Sequence, residues 1–192
     1  MNTTEPIRRK NHVRKLLSYY SNKGEPRNYA LIALSVHTAL RISDILLLNC
    51  DHVYDFKRRR VRESFTITEK KTGKSKIIAL NKEAVAALQA YFPCAEPGKP
   101  LILNARTGKA ISRIQAYRLI RAAAEAVSLP QRVSCHSLRK TFGYHAWKGG
   151  ADSITLMGIF NHSSFEVTRR YLGLTQDDKN RVYLRLNFTD GF

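Results

Sequence analysis

Apolar residues recur along this chain mainly at helical spacing. In residues 7 to 20, IRRKNHVRKLLSYY, Val13, Leu16, Leu17 and Tyr20 fall at i, i+3, i+4 and i+7, which predicts an amphipathic helix with a basic outer face. Residues 21 to 27 form a turn, and Asn28 is read as the cap of a strongly apolar helix, YALIALSVHTAL, the central core element. Ser43 and Asp44 restart a short helix, ISDILLL, which leaves Arg41 at the junction. From 52 to 80 the period changes to two, so HVYDF, RESFTITE and SKIIAL read as strands, with a hairpin turn at Gly73. Asn81 caps KEAVAALQAYF, residues 93 to 100 form a turn-rich connector, and Gly108 marks a further turn. The long helix RIQAYRLIRAAAEAV follows, with Ile114, Tyr117, Ile120 and Ala124 inward.

Punctuation is strongest near the C-terminus. Ser134 as N-cap and the Gly149-Gly150 pair as stop predict a helix over about 135 to 148. Asp152 caps ITLMGIF, and Asn161 supplies the left-handed residue that ends it. Ser163 and Glu166 read as the capping box of a third helix, FEVTRRYLGL, with Tyr171 two turns in. Asp177 and Asp178 begin a last helix anchored by Val182, Leu184 and Leu186. The expected fold class is α+β: a mainly helical domain with a small three-stranded antiparallel sheet.

Composition narrows the class. With 43% hydrophobic residues in 192, the chain suits one globular domain over 1–192. A formal charge of +18 implies a polyanionic partner, and the regular apolar segments argue against a disordered basic tail. Ribosomal proteins share such charge but need no ordered set of histidine, arginine and tyrosine. Cys50, Cys94 and Cys135 are odd in number and far apart, which fits a reducing cytoplasm. The N-terminus lacks a signal-type apolar run, and no segment has the length of a membrane span.

Chemistry concentrates between 134 and 172. His136 and Arg139 share one face of a helix's first turn, where the dipole also favours an anion. His162 follows the Asn161 turn, and Tyr171 lies on the next helix. A phenol among cations suits an anionic centre: guanidinium forks match phosphate, and tyrosine can act as a covalent nucleophile. No H-E-x-x-H or paired C-x-x-C occurs, so no metal site is expected. His145 reads as a core or surface histidine, Trp147 as core and Cys135 as a small buried residue.

Four segments resemble one family. His136-Ser137-Leu138-Arg139, Asn161-His162-Ser163-Ser164, Arg170-Tyr171-Leu172 and the upstream Thr38-Ala39-Leu40-Arg41-Ile42-Ser43-Asp44 are similar, in order, to the motifs of the tyrosine recombinases, the phage integrase family. The family often has glycine at the place of Ala39 and usually has glycine at that of Asn161. The resemblance implies a site-specific recombinase that breaks and rejoins double-stranded DNA through a 3'-phosphotyrosine, with no cofactor. Tyr171 would be the nucleophile, Arg41 and Arg139 the phosphate clamp, His136 the base toward Tyr171 and His162 a donor to the phosphate. A hairpin lysine would be the general acid; Lys71 fits best, with Lys70 and Lys74 as substitutes. Lys57, Arg58, Arg59 and Arg60 read as a DNA-facing turn, with Arg113, Arg118, Arg121 and Lys140 as further DNA contacts.

The resemblance further implies four protomers on two duplexes, an accessory DNA-bending protein and a bacterial or phage enzyme at the cytoplasmic nucleoid. The tail, 174–192, would pack on a neighbouring protomer or fold back on its own domain. The catalytic pattern begins at about residue 7, so the core-binding domain that precedes it in most members is expected to be missing, in an excised piece or a short natural recombinase. A noncatalytic DNA-binding regulator on the same scaffold and a type IB topoisomerase are the competing readings.

Overall fold

The computed structural model describes residues 4–174 and 176–185. Helix α1, Lys10–Asn22, starts three residues later than its apolar pattern, because Ile7 precedes it as a fully buried anchor whose amide donates to Thr141 Oγ1 at 2.9 Å. Helix α2, Pro26–His37, begins before the expected cap. Pro26 needs no amide partner in the first turn, so it opens the helix, and Asn28 lies within it, donating to Glu25 and accepting from Arg27. Every residue from 30 to 36 is buried, and α2 is the central element the sequence indicated.

The chain then turns through Ala39, buried with φ of +55°, into α3, Ile42–Ile45, with Arg41 at its N-cap. A left-handed residue here explains why glycine suits the position. Helix α4, Cys50–Val53, takes up His52 and Val53, which leaves only Tyr54–Asp55 for β1. The expected three-stranded sheet is accordingly divided. Among the described residues β1 pairs with β2, Arg60–Val61, and β3, Ser64–Thr68, with β4, Ser75–Ala79. Between these ribbons Arg62 N donates to Val53 O at 2.8 Å. A third ribbon joins β5, Leu103–Asn104, to β6, Lys109–Ala110.

Helix α5, Lys82–Tyr91, is capped by Asn81, whose side chain accepts from Ala84 N at 2.9 Å. In α6, Arg113–Ala126, the inward seam is Ala116, Ile120, Ala123 and Ala124. Ile114 is 64% exposed and Tyr117 only half-buried, contrary to the sequence reading. Ile111, ahead of the Ser112 cap, fills the core there, and the helix phase turns Ile114 outward. Helices α7, Cys135–Lys148, and α8, Ser153–Phe160, carry the expected caps at Ser134 and Asp152, and Asn161 closes α8 with φ of +53°. Helix α9, Phe165–Leu172, is capped by Ser164, one residue beyond the predicted Ser163. Its side chain accepts from Val167 N at 3.4 Å.

Helix α10, Gln176–Arg185, follows, with an ion pair from Lys148 to the buried Asp178. Tyr183 and Leu184 are exposed; the predicted anchors Val182 and Leu186, and residues 186–192 of the tail, lie outside the side chains described. No helix of the described residues is long and apolar enough to cross a membrane.

Packing on α2 organises the core. One face meets α5 and the ribbons through Leu31, Leu34, Phe65, Ile78 and Leu88. Another meets α1, α6 and α7 through Leu16, Tyr20, Ile32, Ile120 and Leu138. A smaller cluster, Ala39, Leu156, Phe160 and Leu172, packs α8 and α9 together, with Trp147 half-buried against it. Gly143 makes this approach feasible, since a Cβ there would lie 2.7 Å from the Phe160 ring.

Candidate active site

Arg41 emerges where α2 ends, with its side chain mostly enclosed. Its Nη1 lies 3.0 Å from Glu69 Oε2 and 4.0 Å from Asp44 Oδ2. Glu69 is buried at the end of β3 and also accepts from Lys76 Nζ at 2.6 Å, Thr72 Oγ1 at 2.9 Å and Asn161 Nδ2 at 3.2 Å. Burial alone would raise this carboxyl; the hydrogen bonds from Lys76, Asn161 and Thr72, with the charge of Lys76, overcome it and hold the pKa at about 2. Asp44, also buried, accepts from Lys70 N at 3.1 Å, which ties the hairpin to the Arg41 junction.

Arg139, on the first turns of α7, is only 1% exposed. One nitrogen, Nη2, donates to Phe160 O at 2.9 Å, and the guanidinium lies 5.2 Å from the Phe160 ring centroid. Nε and Nη1 are buried without a hydrogen-bond partner among the described residues. Burial, with the nearby charge of Arg41, lowers this guanidinium to about 10. Arg139 remains a cation at neutral pH, with donor capacity facing the cleft.

The Tyr171 hydroxyl lies 2.5 Å from His136 Nε2, and the rings meet edge to face. Burial raises the phenol's pKa, while the charges of Arg139 and Arg41 pull it down. His136 is lowered to about 4 by partial desolvation, Lys140, Arg139 and Arg41. At neutral pH the imidazole is uncharged, and with its proton on Nδ1 it accepts from the phenol at Nε2. His162 packs on Phe160 and meets the Tyr171 ring at 4.5 Å, and it too is lowered to about 4, by desolvation and then by Arg139 and Arg41. Its Nδ1 lies 3.0 Å from Thr168 Oγ1, whose hydroxyl donates to Ser164 O at 3.5 Å.

A cleft of about 410 Å³ gathers Arg41, Lys70, Lys71, Arg113, His136 and Arg139. Tyr171 and His162 adjoin it through His136. The remaining basic residues are elsewhere. Lys74 is exposed on the hairpin and does not line the cleft. Lys57, Arg58 and Arg59 form an exposed turn between β1 and β2, Arg60 is exposed at the start of β2, Arg118 is exposed on α6, and Arg121 is engaged by Glu125 and Tyr117. Lys140 departs from its expected role as a surface contact: it is 5% exposed, donates to Thr4 O at 2.6 Å and lies 5.6 Å from the Tyr171 ring centroid. Its position on the inner face of α7 commits the ammonium within the fold.

Sequence reasoning missed Glu69, Thr72, Lys76 and Thr168. A signal existed for the first, because Phe65, Ile67 and Glu69 fall at period two on the inward face of β3, and a carboxylate at a core register requires partners.

In a mainly helical domain with small antiparallel ribbons, a phenol and two imidazoles thus stand beside two enclosed guanidiniums. The chain belongs to the phage integrase family, whose sequence model matches residues 8–178. It is 36% identical over 183 residues to the probable integrase/recombinase YoeC of Bacillus subtilis (strain 168), covering 95% of this chain and 97% of that protein. It is 33% identical over 168 residues to the tyrosine recombinase XerD of Mycobacterium leprae (strain TN), covering 82% of this chain and 51% of that one. The chain thus spans about half the length of that XerD. Among solved structures, XerA recombinase matches with a TM-score of 0.79 at 20% identity, over 97% of this chain and 68% of that one. XerH site-specific recombinase in a post-cleavage complex with its palindromic difH substrate matches with a TM-score of 0.76 at 18% identity, over 95% and 52%. The α+β fold and the membership of the family that the motifs suggested are therefore both established.

Proposed function

We propose that this chain breaks and rejoins double-stranded DNA at specific sites through a 3'-phosphotyrosine formed on Tyr171. The observation that carries the reading is the Tyr171 hydroxyl 2.5 Å from a neutral His136 Nε2, beside the cleft that holds Arg139 and Arg41. Tyr171 Oη attacks phosphorus and its proton passes to His136 as the bond to the 5'-oxygen breaks. Arg41 and Arg139 hold the non-bridging oxygens and neutralise the charge that develops on them, and His162 donates to the phosphate. Lys71 protonates the leaving oxygen; Lys70 shares the cleft, while Lys74 does not line it. A free 5'-hydroxyl then attacks the phosphotyrosine of a partner strand, which reverses the same proton movements.

Recombination between two duplexes calls for four copies, with the tail from 174 onward linking neighbours and an accessory protein bending the DNA, all at the cytoplasmic nucleoid. The exposed Tyr183 and Leu184 support a role for the tail between copies.

The test is a nicked suicide duplex drawn from DNA flanking the gene, incubated with wild type and with Tyr171→Phe. An SDS-stable adduct formed by wild type alone supports the reading. DNA binding with no adduct from either protein would favour the noncatalytic regulator.

A further inference from the structure

Asn161 stands where the resemblance leads one to expect glycine, and its φ of +53° accounts for the choice of glycine or asparagine. Its side chain adds what glycine cannot. Nδ2 donates to Glu69 Oε2 at 3.2 Å and to Thr72 Oγ1 at 3.0 Å. These two residues flank Lys71 in the hairpin. Lys76, on the returning strand, reinforces the same junction by donating to Glu69 Oε1 at 2.6 Å and to Ile159 O at 3.2 Å. The hairpin is therefore fastened to the end of α8 on both of its arms, and Arg41 completes the cluster at 3.0 Å from Glu69.

A two-stranded ribbon is marginal by itself, so its tip takes its position from whatever its flanks grip. Lys71 is exposed and long, and it lines the cleft from between residues 69 and 72. We propose that Asn161 and Glu69 form a latch that holds the Lys71 hairpin over the cleft, which makes both of them positioning residues for proton delivery to the leaving 5'-oxygen. This rests on the reading of a hairpin lysine as the general acid. The same carboxylate sets Arg41, so one cluster aligns a phosphate ligand with the acid and with the turn that carries His162.

The test uses leaving-group chemistry. A duplex with sulfur in place of the bridging 5'-oxygen releases a thiolate, which needs no proton. Single-turnover cleavage of oxygen and sulfur substrates is compared for wild type, Lys71→Ala, Asn161→Gly and Arg139→Ala. Asn161→Gly keeps the left-handed turn and removes only the amide, and a melting curve confirms that it folds. It is expected to cleave the oxygen substrate about tenfold more slowly, the scale of a lost hydrogen bond to a charged group, and the sulfur substrate at the wild-type rate. Arg139→Ala should be slow on both. A wild-type rate for Asn161→Gly on oxygen, or equal slowing on both substrates, overturns the latch. If sulfur restores Asn161→Gly but not Lys71→Ala, the latch stands and the acid is reassigned to Lys70. If it restores Lys71→Ala but not Asn161→Gly, the acid stands and the latch falls.

Discussion

Tyr171 and His136 lie 35 residues apart in the chain, on different helices, yet hydroxyl and Nε2 meet at 2.5 Å. Their shifts run in opposite directions, the phenol raised by burial and the imidazole lowered by desolvation and neighbouring cations. The pair therefore rests with the proton on oxygen and a neutral base beside it. Moving that proton becomes favourable when a phosphate enters, since its charge offsets the cations that disfavour imidazolium. The resting pair is poised for the substrate and idle without it.

That electrostatic argument can be checked before any DNA is added. His162 and His136 should both titrate near 4 in the free protein, as followed by imidazole NMR shifts. The linkage has a definite sign. Between pH 6.5 and 4 the unfolded chain binds protons that the folded one refuses, so stability falls as pH drops through that window. Below 4.5 Glu69, held at about 2, adds a further loss. Replacing both histidines by asparagine should flatten the upper part of the decline. Midpoints near 6.5 would remove the basis for a neutral base.

Arg139 places function and stability in opposition. Two of its buried nitrogens lack partners among the described residues, and an apolar side chain of similar length removes both, leaving only the Phe160 carbonyl without its donor. Arg139→Met is expected to raise stability by about 1–3 kcal/mol, a rise in Tm of roughly 2–8 °C for a chain of this size. Cleavage should fall about 10²–10³-fold, the scale for removing an oxyanion donor. Added sulfate should raise the melting temperature of wild type and leave the variant unmoved. A variant no more stable than wild type would mean that the guanidinium is satisfied in the resting protein.

The cluster beneath the site predicts an effect that helix propensity gets backwards. Alanine normally stabilises a helix interior relative to glycine by about 1 kcal/mol. At Gly143 the new methyl would lie 2.7 Å from Phe160 Cζ, inside packed core. Gly143→Ala should destabilise by about 1–3 kcal/mol, read as a lower denaturation midpoint. Phe160 gives its carbonyl to Arg139 and its ring face to His162, so cleavage should also fall at temperatures where the variant is fully folded.

What the sequence revealed follows from range. Caps act within three residues, and so Ser134, Asp152 and Asn161 placed α7 and α8 as found. The roles given to Arg41 and the hairpin lysine came from the resemblance to the family's motifs, since an arginine at a helix end is by itself ordinary. Contacts across the fold were not. Nothing local pairs Glu69 with Asn161, or shows that Lys140 turns inward to Thr4 while Ile114 turns out. The sheet was over-read for the same reason: HVYDF has strand composition, but Asn49 and His52 draw its first residues into a helical turn, where Asn49 N donates to His52 Nδ1 at 3.0 Å.

Burial also sorts the basic residues that sequence grouped as one DNA-binding set. Lys57, Arg58, Arg59 and Arg60 are exposed, whereas Lys140 is 5% exposed and spends its ammonium on Thr4 O. Each phosphate neutralised releases condensed counterions, so the slope of log affinity against log salt should shrink by about 0.9 for every phosphate contact removed. Replacing all four turn residues by glutamine is expected to flatten the slope measurably if they track the backbone. Lys140→Met should leave the slope at the wild-type value, because the ammonium is held inside the fold by Thr4 O. A slope reduced by Lys140→Met as much as by an exposed arginine would mean that the lysine leaves its pocket to meet DNA, and that the Thr4 contact opens when the complex forms.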